Sequence, residues 1–254
     1  MPIPSLQILA VPGLPEVRAG DDLAALIVGA VRASGEALHP NDVLVVAQKI
    51  VSKAEGRRVA LADVTPSPRA LELAALCAKD PRLVELVLGE SDEVVRCRRD
   101  ILIVRHRLGF IVANATIDQS NVEAGEAHAL LLPRDPDASA ALLRAGLEAA
   151  FGSGIGVIVN DSFGRPWRRG TCGVAIGCAG IDSLVDLRGR PDRFGRRLQS
   201  SEVGMADEIA AAASLAMGQA AEGVPAVIVR GLAPFARHSP ASELLRPAHA
   251  NLFT

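Results

Sequence analysis

Short apolar runs alternate with amphipathic stretches along the whole chain, and turn residues separate them. The apolar runs predict strands at 6–11, 42–46, 157–159 and 225–229, two or three more between 93 and 115, and a strand-like segment at 183–189. Helical periodicity predicts helices over 21–35, over 69–88 with a break at Asp80, over 137–151 and over 203–221. Because strands and helices do not alternate regularly, we expect an α+β or irregular mixed α/β fold, neither Rossmann nor P-loop.

Residues 154–180 combine a strong strand pattern with the densest polar chemistry of the chain. The apolar run at 157–159 gives way to Asn160, Asp161 and Ser162, which we predict to lie just beyond the end of the strand. A predicted loop at 164–170 holds three arginines and the only tryptophan, Trp167. An acidic side chain at a strand end, facing clustered arginines, favours metal and phosphate chemistry.

Composition bounds the class of protein. The chain has 254 residues, of which 49% are hydrophobic, and a formal net charge of -2. This length suits one large domain or two intimately joined ones, and the near-neutral charge does not favour nucleic-acid binding. No signal peptide, membrane span or CxxC cysteine pair is evident. We therefore expect a cytoplasmic protein without nucleic-acid or membrane partners. Separately, the Arg-, Gly- and Asp-rich segment at 188–201 is expected to be a mobile loop.

The common nucleotide-binding and hydrolase motifs are missing. The chain has no GxxxxGK[ST], HExxH or GxSxG sequence, and its glycine-rich segment at 152–156 precedes a strand, which indicates a linker turn rather than a dinucleotide fingerprint. Only three of the 27 basic residues are lysines, namely Lys49, Lys53 and Lys79. They are either chance survivors of an arginine-rich composition or positions that need a compact ammonium group.

Polar side chains follow several predicted strands. Asp161 and Ser162 follow one strand, Asn114, Asp118 and Asn121 another, and Lys49, Ser52 and Lys53 a third. Carboxylate, hydroxyl and amide oxygens suit Mg²⁺ or Mn²⁺, while lysines and arginines neutralise a polyphosphate. Eight arginines between 161 and 197 fit this interpretation, although a solvated surface explains any single one of them equally well.

Four separate blocks of the sequence resemble one family. They are DVLVVAQKIVSKAEGR at 42–57, ATIDQSNVEAG at 115–125, VIVNDSFGRPWRRGTCGVAIGCAGI at 157–181 and ADEIAAAASLAMGQAAEGVPAVIVRGL at 206–232. Together they resemble the coenzyme F420-0:L-glutamate ligase (F420 γ-glutamyl ligase) family over about 13–232. The resemblance implies GTP-dependent ligation of L-glutamate to F420-0 through an acyl phosphate, further γ-linked additions, a family-specific fold and an intertwined homodimer.

The resemblance also implies site residues. Two Mg²⁺ or Mn²⁺ ions and a monovalent cation, K⁺, are associated with the family, and the positions that match its metal ligands are Asp118, Asp161, Ser162 and Gln219. Arg168 and Arg169 match a basic loop that binds a substrate anion. Positions expected to contact GTP are Pro12, Gly13, Leu14, Pro15, Ala47, Gln48, Ser52, Lys53, Asn121, Met217, Gly218, Gln219, Ala220, Ala221, Glu222, Gly223 and Val224.

The extent of the resemblance predicts a single ligase unit over 1–254, built as one body or as two interwoven subdomains. The additional C-terminal nitroreductase-like domain of some bacterial members is not expected. Two other functions fit the same residue types: a metal-dependent phosphatase or phosphotransferase with Asp161 as nucleophile, and a non-catalytic protein that binds a nucleotide or F420.

Overall fold

The protein is described by a computed structural model, which covers residues 5–119, 127–152 and 154–250. In chain order its strands are β1 (Gln7–Ala10), β2 (Val43–Ala47), β3 (Arg58–Ala60), β4 (Ser91–Arg98), β5 (Ile101–His106), β6 (Ile111–Ala113), β7 (His128–Leu130), β8 (Gly156–Arg165), β9 (Arg168–Ala179), β10 (Val185–Asp186), β11 (Glu202–Val203) and β12 (Ala226–Arg230). Its helices are α1 (Leu23–Ala33), α2 (Gln48–Ala54), α3 (Pro68–Cys77), α4 (Pro81–Gly89), α5 (Pro136–Phe151) and α6 (Met205–Met217). This mixed α+β architecture confirms the predicted fold class.

A five-stranded sheet forms the centre of the structure, in the order β1-β12-β2-β8-β9. The strands β2 and β8 are parallel, with Val43 opposite Gly156, and the other neighbouring pairs are antiparallel. Both faces of the sheet are covered, because α1, α2 and α5 contribute to the hydrophobic core on one face and α6 contributes to the core on the other. Burial on both faces explains why β2 and β12 read as unbroken apolar runs.

Helix ends follow the local signals in the sequence. The side chains of Asp22, Ser67, Asp80 and Asp135 each accept a hydrogen bond from a backbone N–H in the first turn of α1, α3, α4 and α5. Gly152 ends α5 with a φ of 65°, a left-handed conformation that glycine adopts without strain. The linker turn predicted at 152–156 is therefore confirmed at its first residue.

A third hydrophobic core lies beneath α3 and α4, which pack against the three-stranded sheet β4-β5-β6. The fully buried residues Leu73, Val84, Leu102 and Val104 belong to this core. The predicted break between the two helices is confirmed, because Asp80 caps α4 and Pro81 occupies its first turn. This layer carries the segment that leads from β6 to Asp118.

Three predicted boundaries were wrong. The helix predicted over 203–221 ends at Met217, because Gly218 adopts a φ of 72° that a helix does not allow. The strand-like segment at 183–189 pairs only over Val185 and Asp186. Strand β8 extends to Arg165 and so contains Asp161 and Ser162, which were expected beyond its end. The predicted mobility of 188–201 stays a prediction. None of the helices in the described residues is long and apolar enough to cross a membrane.

Glu90 joins the two layers through a buried ion-pair network. Its carboxylate lies 2.8 Å from the Arg57 guanidinium, 3.2 Å from that of Arg107 and 3.6 Å from Nε2 of the fully buried His106. Burial opposes ionisation of Glu90, but the interactions with His106 and Arg57 outweigh it and lower the pKa of the carboxyl to about 2. The charged form is therefore strongly preferred in the folded protein.

We expect Glu90→Gln to lower the free energy of unfolding by about 3 kcal/mol at pH 7, because two guanidinium groups lose their buried counter-charge. The folded pKa lies below the unfolded value, so this stabilisation is complete above about pH 4.5 and is lost as the pH falls towards 2. Urea denaturation at pH 7 and pH 3 measures the difference. Glu93→Gln, which breaks the more exposed pair with Arg105, should cost less than about 1 kcal/mol.

Candidate active site

A cavity of about 760 Å³ opens where β2 passes into α2 and where the loops before α1 and after α6 meet. Strand β8 forms one wall through Asn160, Asp161 and Ser162. The remaining lining residues are Leu14, Pro15, Glu16, Val17, Arg18, Ala47, Lys49, Ile50, Lys53 and the segment Met217, Gly218, Gln219, Ala220, Ala221, Glu222, Gly223, Val224 and Pro225. Four stretches that are distant in sequence therefore share one cavity.

The position of Asp161 follows from the unequal lengths of neighbouring strands. Strand β2 ends at Ala47, which lies opposite Asn160, whereas β8 continues to Arg165. From Asp161 onward β8 pairs only with β9. The edge of β8 that β2 leaves uncovered is part of the cavity wall, and the polar side chains begin at this point because the strand leaves the buried sheet.

The Asp161 carboxyl is held in an unusual electrostatic environment. Burial is the main cause that raises its pKa to about 6, and the charge of Asp118 adds to it, while the backbone N–H of Ser162 and the charge of Lys49 act in the opposite direction. Ser162 N–H donates to Oδ1 at 2.7 Å. The Thr116 side chain lies close enough to lower this pKa further, but Oδ2 is buried and makes no hydrogen bond of regular geometry among the described residues. A cation would satisfy this oxygen.

Asp118 and Gln219 approach the same wall from other elements. The Asp118 carboxylate lies 2.6 Å from Lys49 Nζ, and its backbone pairs with that of Leu130 in an isolated bridge. Ser162 Oγ donates to Gln219 Oε1 at 2.7 Å, which ties the loop after α6 to β8. The four predicted metal ligands therefore belong to two connected groups, Asp118 with Asp161 and Ser162 with Gln219.

A strained turn beside Asp161 was not singled out in the sequence. Asn114, Ala115 and Thr116 have φ values of 52°, 51° and 52°, a left-handed run that costs energy in non-glycine residues, especially a β-branched one. Asn114 Oδ1 and Thr116 Oγ1 are buried without a hydrogen-bond partner in the described structure. Sequence patterns did not reveal Thr116, because backbone strain leaves no compositional signal.

The donor set fits a hard cation. In the described part of the chain no three His, Cys, Asp or Glu side chains converge on one point. The acidic pair is instead accompanied by hydroxyl and amide oxygens from Ser162 and Gln219, and Mg²⁺ and Mn²⁺ accept such oxygens together with water. The unpartnered Asp161 Oδ2 is the observation that favours a cation here.

Two of the three lysines lie in this cavity. Lys49 pairs with Asp118, and Lys53 Nζ lies 2.5 Å from the exposed Glu16 carboxylate. Lys79 lies outside the cavity, after the end of α3. The placement of Lys49 and Lys53 agrees with a need for compact positive charge at these two positions.

The remaining predicted site residues lie elsewhere. Gln48 and Ser52 are buried in α2, where Ser52 Oγ donates to Gln48 Oε1 at 2.9 Å, and they do not line the cavity. Pro12 and Gly13 precede the lining segment. Arg168 and Arg169 are exposed at the start of β9, beyond the lining residues. Asn121 lies outside the described residues, so its role stays a prediction.

The structure defines a mixed α+β protein with a polar cavity in which carboxyl, hydroxyl and amide groups lie beside two lysines. The chain belongs to the F420-0:Gamma-glutamyl ligase family, whose sequence model matches residues 13–231. The resemblance carried by the four sequence blocks is thereby confirmed.

Relatives align with this chain over nearly its full length. The coenzyme F420:L-glutamate ligase of Methanothermobacter thermautotrophicus is 47% identical over 98% of this chain and 98% of its own. The protein of the same name from Methanopyrus kandleri is 47% identical over 91% of this chain and 89% of its own. That of Archaeoglobus fulgidus is 45% identical over 89% and 88%. The family match at residues 13–231 includes the segments that build the cavity.

Proposed function

We propose that this protein joins L-glutamate to coenzyme F420-0 in F420 biosynthesis, with GTP as the phosphoryl donor and with further γ-linked glutamates as additional products. Family membership and the names of the relatives support glutamate ligation. The observation that carries the site assignment is Asp161, which lines the same cavity as Lys49 and Lys53 and has a buried, unpartnered carboxyl oxygen.

The proposed reaction has two balanced steps. A carboxylate oxygen of F420-0 attacks the γ-phosphorus of GTP, and the bond between that phosphorus and the oxygen bridging to the β-phosphate breaks, so that GDP leaves. The amine of glutamate then attacks the acyl carbon of the acyl phosphate. The C–O bond to phosphate breaks, inorganic phosphate leaves and the amine nitrogen loses a proton. Neither step requires a nucleophile from the protein.

The first step brings two anions together, so positive charge has to lower the barrier. Divalent cations, Mg²⁺ or Mn²⁺, neutralise such charge when bound. Asp118, Asp161, Ser162 and Gln219 would hold them at two sites, with K⁺ as an additional monovalent ion. The protein residues themselves fix the position of this charge, since Asp161 is anchored by the Ser162 N–H and Gln219 by the Ser162 hydroxyl.

Lys53 and the loop after α6 would hold the GTP phosphates. Lys53 pairs with Glu16, a largely exposed side chain, so this ion pair can exchange for a phosphate at little cost. Arg168 and Arg169 lie at the exposed end of the antiparallel pair β8–β9, and they would contact the phosphodiester or carboxylates of F420-0. We also propose a homodimer in the cytoplasm, and light scattering coupled to size-exclusion chromatography tests the dimer.

The direct test is incubation with F420-0, L-glutamate, GTP and Mn²⁺, followed by mass spectrometry of the deazaflavin and measurement of GDP. The proposal requires one added glutamyl residue for each GDP formed in the first round. A parallel reaction without glutamate separates the alternatives, because a phosphatase would continue to release phosphate. GDP without a glutamyl product, or no GDP at all, contradicts the proposal.

Lys53→Ala should raise the KM for GTP about 30-fold, because one charge-assisted contact to phosphate is worth about 2 kcal/mol. Steady-state kinetics with varied GTP measure this change. Lys79→Ala is the matched control, since it removes the same charge outside the cavity and should leave KM within about twofold. Equal KM values for both variants would remove Lys53 from the GTP site.

A further inference from the structure

The loop between α6 and β12 holds one of its own carboxylates. Glu222 Oε2 accepts a hydrogen bond from the backbone N–H of Ala220 at 2.7 Å. Hydrogen bonds from the backbone N–H groups of Ala220, of Glu222 itself and of Gln219 lower the pKa of the Glu222 carboxyl. The side chain is exposed to solvent, and it lies in the wall of the main cavity.

The glycines of the loop make this arrangement possible. Gly218 and Gly223 have φ values of 72° and 68° and flank the bonded segment. A Cβ atom at Gly218 would overlap the Glu222 carboxyl group, so the carboxyl lies directly against the backbone of a residue without a side chain. Backbone N–H groups that converge in such a turn form an anion site of the kind that binds phosphates.

The same cavity contains a second internal pairing of this type. Lys53, the other group suited to bind phosphate, holds the Glu16 carboxylate. In both places a glutamate carboxylate satisfies a positively polarised group, from the same loop for Glu222 and from the loop before α1 for Glu16. An incoming polyphosphate has to compete with these carboxylates for the same donors.

We propose that Glu222 is an internal competitor that occupies the anion-binding backbone turn of residues 218–223 and has to leave it when the phosphates of the nucleotide bind. This inference rests on the proposed use of GTP. Because the carboxylate is exposed and held by a short loop, it is displaced without rearrangement of the core. Its effect is to lower nucleotide affinity and to favour release of the product GDP.

A different role for Glu222 gives the opposite result. A carboxylate can also accept hydrogen bonds from the N1–H and amino groups of guanine, and its removal would then weaken GTP binding. The geometry favours competition, because Oε2 is already engaged by Ala220 N–H and the carboxyl lies against the loop backbone.

The test compares Glu222→Gln with the full-length wild-type protein by isothermal titration calorimetry. The two probes are GTP and inorganic tripolyphosphate, each with MgCl₂. We expect Kd to fall about 5- to 10-fold for both probes, because the state in which the Glu222 carboxylate occupies the turn no longer competes with binding. Glu72→Gln removes the same charge from the exposed pair with Arg69 on α3 and should leave Kd unchanged. Thermal unfolding verifies that the variants are folded.

Repeating the titrations in 0.5 M KCl separates competition from general repulsion. The screening length is then about 4 Å, so a long-range charge effect disappears while a direct competition remains. A gain in affinity that is lost in 0.5 M KCl overturns the proposal, as does an unchanged Kd. Weaker GTP binding with unchanged tripolyphosphate binding also overturns the proposal, because it would show that Glu222 contacts the guanine base. If the wild type and Glu222→Gln bind neither probe, the GTP dependence fails together with this inference.

Discussion

Asp161→Asn is expected to reduce ligation activity at least about 1,000-fold, because it removes the central charge of the proposed cation site. Asparagine has the same shape and can still accept the hydrogen bond from Ser162 N–H. It cannot supply a negative charge, so Asp118 would be the only carboxylate left in the proposed cation site. Initial rates of glutamyl-F420 formation at saturating GTP measure the loss.

The same substitution should stabilise the protein when divalent cations are absent. The pKa of Asp161 is raised by burial to about 6, above its unfolded value of 3.8, so the folded protein prefers the protonated form. The wild type therefore loses stability as the pH rises from about 4 through 6, and asparagine avoids this loss. We expect Asp161→Asn to be about 3 kcal/mol more stable at pH 8 and nearly equal at pH 4.

Added Mn²⁺ completes the experiment. It should raise the melting temperature of the wild type much more than that of Asp161→Asn, since the variant lacks the Asp161 carboxylate and keeps only that of Asp118. Asp207→Asn is the matched control: Asp207 is partly buried and its pKa is also raised by burial, but it accepts a hydrogen bond from Ala175 N–H outside the cavity. An Asp161→Asn enzyme with near wild-type rates would contradict the site assignment.

Gly177→Ala should lower the free energy of unfolding by about 3 to 4 kcal/mol, a reduction of about 10 °C in melting temperature. Gly177 lies in β9, where the strand passes directly against the first residue of α5. A methyl group there would overlap the carbonyl group of Pro136. Since the overlap involves backbone atoms, a change of rotamer cannot relieve it.

The contact also carries hydrogen bonds. Asp137, next to Pro136, accepts the backbone N–H groups of Cys178 and Ala241 at 2.8 Å each, so moving α5 away would break them. Gly164→Ala in β8 is the control, because no atom lies within 4 Å of its added methyl group, and its effect should stay within about 0.5 kcal/mol. Equal melting temperatures for the two variants would show that α5 adjusts freely.

Elements with strong local signals were predictable from the sequence. The helical patterns at 21–35 and 137–151 predicted α1 and α5, and the unbroken apolar run at 42–46 predicted the buried strand β2. The clustering of Asp118, Asp161 and Lys53 was inferred from polar residues that follow apolar runs and from the family resemblance. The cavity contains Asp161 and Lys53, and the ion pair of Asp118 with Lys49 places it beside them.

Boundaries that depend on neighbouring elements were not predictable. Asp161 was expected beyond its strand, but β9 extends the pairing and keeps it inside β8. The helical pattern of 203–221 concealed the end of α6, because alanine and glutamine at 219–221 favour a helix as strongly as the residues before Gly218. The strained turn at 114–116 was equally hidden, since its backbone angles are imposed by the surrounding packing.

The sequence by itself determined the family, the class of fold and the residue types that carry the chemistry, because these follow from local patterns and matched blocks. Only the tertiary structure decided how those residues meet. It stops β2 at Ala47 while β8 continues, which uncovers the edge of Asp161. It also folds the loop after α6 so that Gln219 reaches Ser162 and Glu222 caps its own backbone. The pairing of β2 with β8 and the contact of Gln219 with Ser162 join residues more than 50 positions apart, and their geometry is set by strand lengths and packing rather than by any local motif.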